Sequence, residues 1–130
     1  MQRLALVSLV VNDYDEAIDY YVRVLGFTLR EDTPMGEGKR WVVVAPGEGA
    51  GSGLLLAKAA NDRQRQAVGL QTGGRVFLFL HTDNFERDYA AYTQRGVSFV
   101  EQPRQESYGR VVVFTDLYGN RWDLVEPRAV

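Results

Sequence analysis

Asn12-Asp13-Tyr14-Asp15-Glu16-Ala17-Ile18-Asp19-Tyr20-Tyr21-Val22-Arg23-Val24-Leu25-Gly26 is the stretch on which the reading of the chain turns. Asn12 and Asp13 offer side-chain oxygens to the free N–H groups of a following helix, and Asp13 with Glu16 has capping-box spacing. Tyr14, Ala17, Ile18, Tyr21 and Leu25 recur on one helical face, and Gly26 then supplies a left-handed stop, so the pattern predicts one helix over 14–25. Before it, Leu4 to Val11 is a short apolar, β-branched run that reads as a strand. After it come three strand candidates, Phe27 to Glu31, Arg40 to Ala45 and Gly53 to Lys58, set apart by Gly/Pro-rich stretches at 33–38 and 46–51. The order is β-α-β-β-β.

That order then repeats. Ala59 to Gly74 shifts to polar and small residues, as a connector would. Arg75 to His81 is a second apolar strand, Asp83 and Glu86 repeat the capping box, Phe85, Tyr89 and Tyr92 form a helical face, and Gly96 stops the helix. Asp13 to Gly26 and Asp83 to Gly96 are both intervals of 13 residues, offset by 70, the mark of an internal duplication. Val97 to Glu101, Arg110 to Thr115 and Arg121 to Glu126 supply three more strands, with Tyr118-Gly119-Asn120 turning between the last two. The expectation is an α+β fold occupying a single domain, 1–130: module one at 1–58, a connector at 59–74 and module two at 75–130. Each module is too small to bury a sheet face alone, so the two are expected to form a curved, barrel-like mixed sheet with helices outside and a ligand cavity between.

Composition bounds the function. The 130 residues, 45% hydrophobic and 25% charged, suit one folded domain rather than a disordered chain. Fifteen basic and 17 acidic residues are scattered to a net charge of −2, which leaves no footprint for nucleic acid. The absence of cysteine removes disulfide and thiol chemistry and suits a reducing compartment, so a cytoplasmic location is expected. No window approaches eighteen consecutive apolar residues, so no membrane partner is expected. No Ser-His-Asp order, phosphate loop or paired-histidine helix supports nucleophilic hydrolysis or nucleotide chemistry.

Leu9 to Tyr21 with Val24-Leu25-Gly26-Phe27, and the closing stretch Val113 to Pro127, resemble the opening and the last hairpin of a module of the vicinal oxygen chelate superfamily, the glyoxalase and bleomycin-resistance fold. That scaffold hosts isomerases, dioxygenases, epimerases, thiol transferases and drug-sequestering proteins, so the resemblance implies a fold more than a reaction. Metal-dependent members place histidines ahead of each helix start and carboxylates on the fourth and eighth strands. The resemblance puts Leu6 at the first position, Val76 or Phe77 at the second and Leu56 at the fourth-strand position, which leaves Asp123 as the one retained ligand. One ligand of four cannot hold a divalent ion, so no metal and no other cofactor is expected, and glyoxalase I or extradiol dioxygenase chemistry is disfavoured.

The remaining candidates follow from strand alternation. His81, the one histidine, shares a strand face with Phe77 and Phe79, and Asp123 shares one with Arg121 and Val125 while Trp122 and Leu124 point away. His81 and Asp123 are the candidate proton carriers if the protein is an enzyme. An aspartate in an apolar cavity needs a partner, for which Arg121, Arg110 or Arg40 are available. Tyr108-Gly109-Arg110 can close over a flat or anionic ligand, whereas Tyr20, Tyr21, Tyr89 and Tyr92 read as core or interface aromatics. The expected ligand contacts are thus Leu6, Ser8, Leu56, Phe77, Phe79, His81, Tyr108, Arg110, Arg121 and Asp123. The expected function is metal-free binding of a small aromatic or cationic molecule, with a lyase, isomerase or dioxygenase-like enzyme as the alternative, and the expected assembly is a homodimer.

Overall fold

The computed structural model describes residues 1–47 and 51–129. They divide into two compact units, Met1–Val68 and Gly69–Val130. In the first, β1 (Leu6–Val11) leads through Asp13 into α1 (Tyr14–Asp19), and β2 (Thr28–Gly36), β3 (Lys39–Ala45) and β4 (Gly53–Lys58) follow in turn. They form a sheet in the order β1-β4-β3-β2, with β1 and β4 parallel and the other pairs antiparallel. A short helix, α2 (Asp62–Ala67), closes the unit. In the second, β5 (Val76–His81), α3 (Phe85–Gln94), β6 (Ser98–Phe99), β7 (Arg104–Glu106), β8 (Gly109–Thr115) and β9 (Arg121–Pro127) repeat the plan. Their sheet runs β5-β9-β8-β6 with β7 also on β8, and β5 and β9 are parallel. The fold is α+β with two mixed sheets, of four and five strands. Among the described residues no helix is long and apolar enough to cross a membrane.

The first cap is the expected one: the Asp13 carboxylate accepts the Glu16 N–H at 2.8 Å, and Gly26 (φ 76°) ends the helical segment. The second cap is one residue later than expected. Asn84, not Asp83, receives the Arg87 N–H at 3.1 Å, while Asp83 forms an exposed ion pair with Arg87. Cap to stop is therefore 13 residues in the first unit (Asp13 to Gly26) and 12 in the second (Asn84 to Gly96). The extra residue is taken up at Tyr20–Val24, where the helix widens into a π turn and Leu25 N–H reaches back five residues to Tyr20 O at 3.1 Å. A compensating insertion sits in β5, whose register on β9 slips between Val76 and Leu78. The offset of 70 therefore holds for the glycine stops but becomes 71 at the caps. Asp13→Ala and Asn84→Ala should each cost about 1 kcal/mol, and Asp83→Ala no more than about 0.5 kcal/mol, measured by urea unfolding.

Two other expectations are corrected. Only Glu37 and Gly38 of the 33–38 stretch form a turn, since β2 pairs with β3 as far as Gly36–Lys39, its register shifting at Leu29/Glu31 and Pro34/Gly36. A proline is tolerated there because β2 is an edge strand. The 59–74 connector contains α2, capped by Asn61 on the Gln64 N–H at 2.9 Å. Of the 46–51 stretch, residues 48–50 lie outside the described residues.

Parallel and antiparallel partners share a sheet face, so the pairing assigns one. In the first unit Leu9, Val11, Val42, Val44 and Leu56 are fully buried on the face that packs against the helical segment with Ala17 and Tyr21. In the second the same face is aromatic. Phe114 stacks on Trp122 (centroids 5.9 Å apart) and meets Tyr92 at 5.5 Å, and Tyr89 lies between Phe85 and Phe99. The Tyr118-Gly119-Asn120 turn forms as expected and is organised by buried Asp116, whose Oδ1 accepts the N–H groups of Tyr118, Gly119 and Asn120 at 3.0–3.1 Å.

Candidate functional site

The opposite face of the second sheet carries several of the candidate residues. Along β9, Arg121, Asp123 and Val125 point away from the aromatic layer that contains Trp122 and Leu124, as alternation predicts. Asp123 pairs with Phe79 on β5 and Val113 on β8, and Val125 pairs with His81 and Val111. Asp123 is 5% exposed, and its Oδ1 has no hydrogen-bond partner among the described residues. Burial pushes its carboxyl above the usual aspartate range; the Arg104 guanidinium pulls it partly back, and Glu101 adds to the rise.

Arg104 and Glu101 escaped the sequence reading, which looked to Arg121, Arg110 or Arg40 for the charge near Asp123. Arg104 pairs opposite Val111, so it lies on the Asp123 side of the sheet. Its Nε donates to Glu101 at 2.9 Å, its Nη1 donates to Glu106, and Tyr108 also hydrogen-bonds it. Glu101 further accepts the Val113 N–H at 3.1 Å, which fixes the cluster to the strand beside Asp123. The available signal was Ser107-Tyr108-Gly109, a turn that implies a short strand at 104–106 returning along β8.

Arg110 is directed the other way. Its guanidinium sits 4.8 Å over the Phe85 ring and pairs with Glu86, on the α3 side. Tyr108 is half exposed, and its carbonyl accepts the Arg128 N–H at 2.8 Å. Phe77, at the slip in β5, meets Trp122 edge-on at 6.4 Å rather than continuing the row of Phe79 and His81. Phe79 is 64% exposed, and His81 and Arg121 are also exposed.

In the first unit Leu6 and Ser8 pair with Gly53 and Leu55, which places Leu55 on their face. Leu56 is fully buried beside Leu9 on the helix-packed face, one residue away from the expected lining position. Arg40 is held by Asp32 at 2.7 Å and Asp15 at 2.9 Å, and its guanidinium lies 5.1 Å over the Tyr14 ring. Trp41 borders two clefts of about 550 and 410 Å³, the first reaching Lys58 and Gln64 and the second Leu6 and Arg30.

A four-ligand metal does not fit these residues. In the first unit the face of β1 and β4 that carries Leu6, Ser8 and Leu55 offers neither imidazole nor carboxylate, and in the second the face of β5 and β9 that carries Phe79 offers His81 and Asp123. Among the described residues no three His, Cys, Asp or Glu side chains converge where they could hold an ion.

Comparison with known proteins agrees with the fold. The family described as the Glyoxalase/Bleomycin resistance protein/Dioxygenase superfamily matches residues 3–124. A protein of Shewanella frigidimarina (strain NCIMB 400), described as uncharacterized, is 54% identical over 126 residues, covering 96% of this chain and 93% of that protein. The crystal structure of UcmS2 superposes with a TM-score of 0.85 at 30% identity, covering 97% of this chain and 98% of that one. TnmS3, an antibiotic binding protein from Streptomyces sp. CB03234, superposes with a TM-score of 0.79 at 31% identity, covering 98% of both chains.

Proposed function

Since the chain belongs to the Glyoxalase/Bleomycin resistance protein/Dioxygenase superfamily, we propose that it binds a small aromatic molecule bearing a cationic group, without a metal ion, on the sheet face that carries Asp123. The observation that carries this reading is the buried Asp123 carboxylate with an oxygen that lacks a hydrogen-bond partner among the described residues. Such an oxygen is costly in the free protein and is satisfied by an N–H donor brought by a ligand. Exposed Phe79, paired with Asp123, supplies the ring surface against which a flat group packs. Glu101 and Glu106 hold Arg104, so its charge is already matched and a cationic ligand meets less repulsion than a lone arginine would impose. The likeness to TnmS3, an antibiotic-binding protein, favours sequestration over turnover.

The test is a melting-temperature comparison at ligand excess, using naphthylmethylammonium and its neutral counterpart naphthylmethanol, each with and without EDTA. Binding to the folded state alone raises stability by RT ln(1 + [L]/Kd), about 2.7 kcal/mol at a hundredfold excess over Kd. The ammonium is expected to raise the melting temperature, the alcohol to raise it less, and EDTA to change neither. No rise with the ammonium, or a rise that EDTA abolishes, contradicts the reading.

A further inference from the structure

We propose that the first unit carries a second, separate binding site, for a small aromatic carboxylate, in the cleft where β3 and β4 part. The duplicated plan makes the parting visible. In the second unit β8 and β9 stay paired over seven positions, from Gly109–Pro127 to Thr115–Arg121. The corresponding strands of the first unit pair at three, Val42–Leu56, Val43–Leu55 and Val44–Leu54. Both strands nevertheless continue: β3 is paired on its outer side as far as Gly36–Lys39, and β4 on its outer side as far as Val11–Lys58. Arg40-Trp41 and Ala57-Lys58 therefore keep strand conformation on either side of an unzipped gap. The Tyr14 hydroxyl enters it and accepts the Arg40 N–H at 3.2 Å, which satisfies one of the donors that β4 would otherwise meet.

The resulting cleft of about 550 Å³ is large enough for a bicyclic molecule. Trp41, Leu55 and Ala57 give it an apolar wall, and Lys39, Lys58 and Gln64 bring polar groups to it. The charge available to a ligand is positive. Arg40 is matched by Asp32 and Asp15, whereas the Lys39 and Lys58 ammonium groups have no ion pair among the described residues. Among the described residues Glu37 is the one carboxylate in the lining. The Gln64 Oε1 accepts the Ala60 N–H at 2.7 Å, which leaves the donor end of its amide for an incoming acceptor. A flat ring against Trp41 with a carboxylate between Lys58 and Gln64 meets each of these groups, and its charge is opposite to that proposed for the Asp123 face.

The chain has two tryptophans, Trp41 in the first unit and Trp122 in the second, so two indole N–H signals in a ¹H–¹⁵N spectrum report on the units separately. Titration with 2-naphthoate is expected to shift the Trp41 signal saturably and leave that of Trp122 in place. Lys58→Gln, an exposed substitution, should weaken the titration about fivefold or more, since a charge-assisted contact is lost. Asp123→Asn should leave it unchanged, which separates this site from the one proposed above. An unmoved Trp41 signal at millimolar naphthoate, an equal response to naphthylmethanol, or an affinity unaltered by Lys58→Gln overturns the proposal.

Discussion

Gly109→Ala is expected to lower stability by about 3 kcal/mol. Gly109 opens β8 at φ 149°, where side chains are rarely found, and a Cβ there would lie 2.2 Å from the Glu126 carbonyl oxygen and 3.1 Å from Arg128 N. Those atoms are backbone of the paired strand and its continuation, so no rotamer change relieves the clash. Moving them would strain the Gly109–Pro127 pairing and the Arg128 N–H to Tyr108 O bond of 2.8 Å, and would disturb β7, which sets Arg104, through Glu106–Gly109. Gly73→Ala is the control: it also has a positive φ, 69°, but nothing lies within 4 Å of its Cβ, so only about 1–2 kcal/mol of left-handed strain applies. Equal losses in the two variants, measured by urea unfolding, would show that the close approach at Gly109 is relieved without cost.

Asp123→Leu is expected to do the reverse and stabilise the protein by about 1–3 kcal/mol at neutral pH. The position equivalent to Asp123 in the first unit is Leu55: Val43 and Ser8 flank Leu55 as Val113 and Phe79 flank Asp123. The duplicated plan therefore already accepts leucine in this place. The pH dependence has a defined sign. Burial raises the folded carboxyl above its ordinary value of 3.8, so through the window from that value upward the folded state binds more protons than the unfolded chain. Stability from this group is thus fully present below the unfolded value and lost as pH rises through the folded one. The advantage of the leucine variant should be smallest in acid and reach its full size near neutrality. A leucine variant less stable than the parent at neutral pH would mean that the carboxylate is better satisfied than the free oxygen indicates.

The first cap, both helix stops and the alternation along β9 were legible because each is a local pattern. Asp13, Gly26, Gly96 and the outward turn of Asp123 between Trp122 and Leu124 all follow from spacing alone. The faces of Leu56 and Phe77 were not legible, for two different reasons. Leu54-Leu55-Leu56 has no alternation to read, so only the pairing of Leu55 with Ser8 identifies which leucine shares the face of Leu6. Phe77 falls where β5 carries an inserted residue, and the π turn after α1 restores the offset further on, so equal intervals in the sequence concealed two opposite shifts. Arg104 was missed because β7 is three residues long and its side chains are polar, a pattern that hydrophobic periodicity cannot detect.

The most direct measurement of the proposed function is calorimetric titration of the parent and Asp123→Asn with naphthylmethylammonium and naphthylmethanol. Asparagine keeps the shape of aspartate and removes its charge. A hydrogen bond to a charged group contributes about 1.5–3 kcal/mol, so the substitution should weaken the ammonium about tenfold or more and change the alcohol little. Equal affinity of parent and variant for the ammonium would contradict the assignment of Asp123 as the ligand's charge partner.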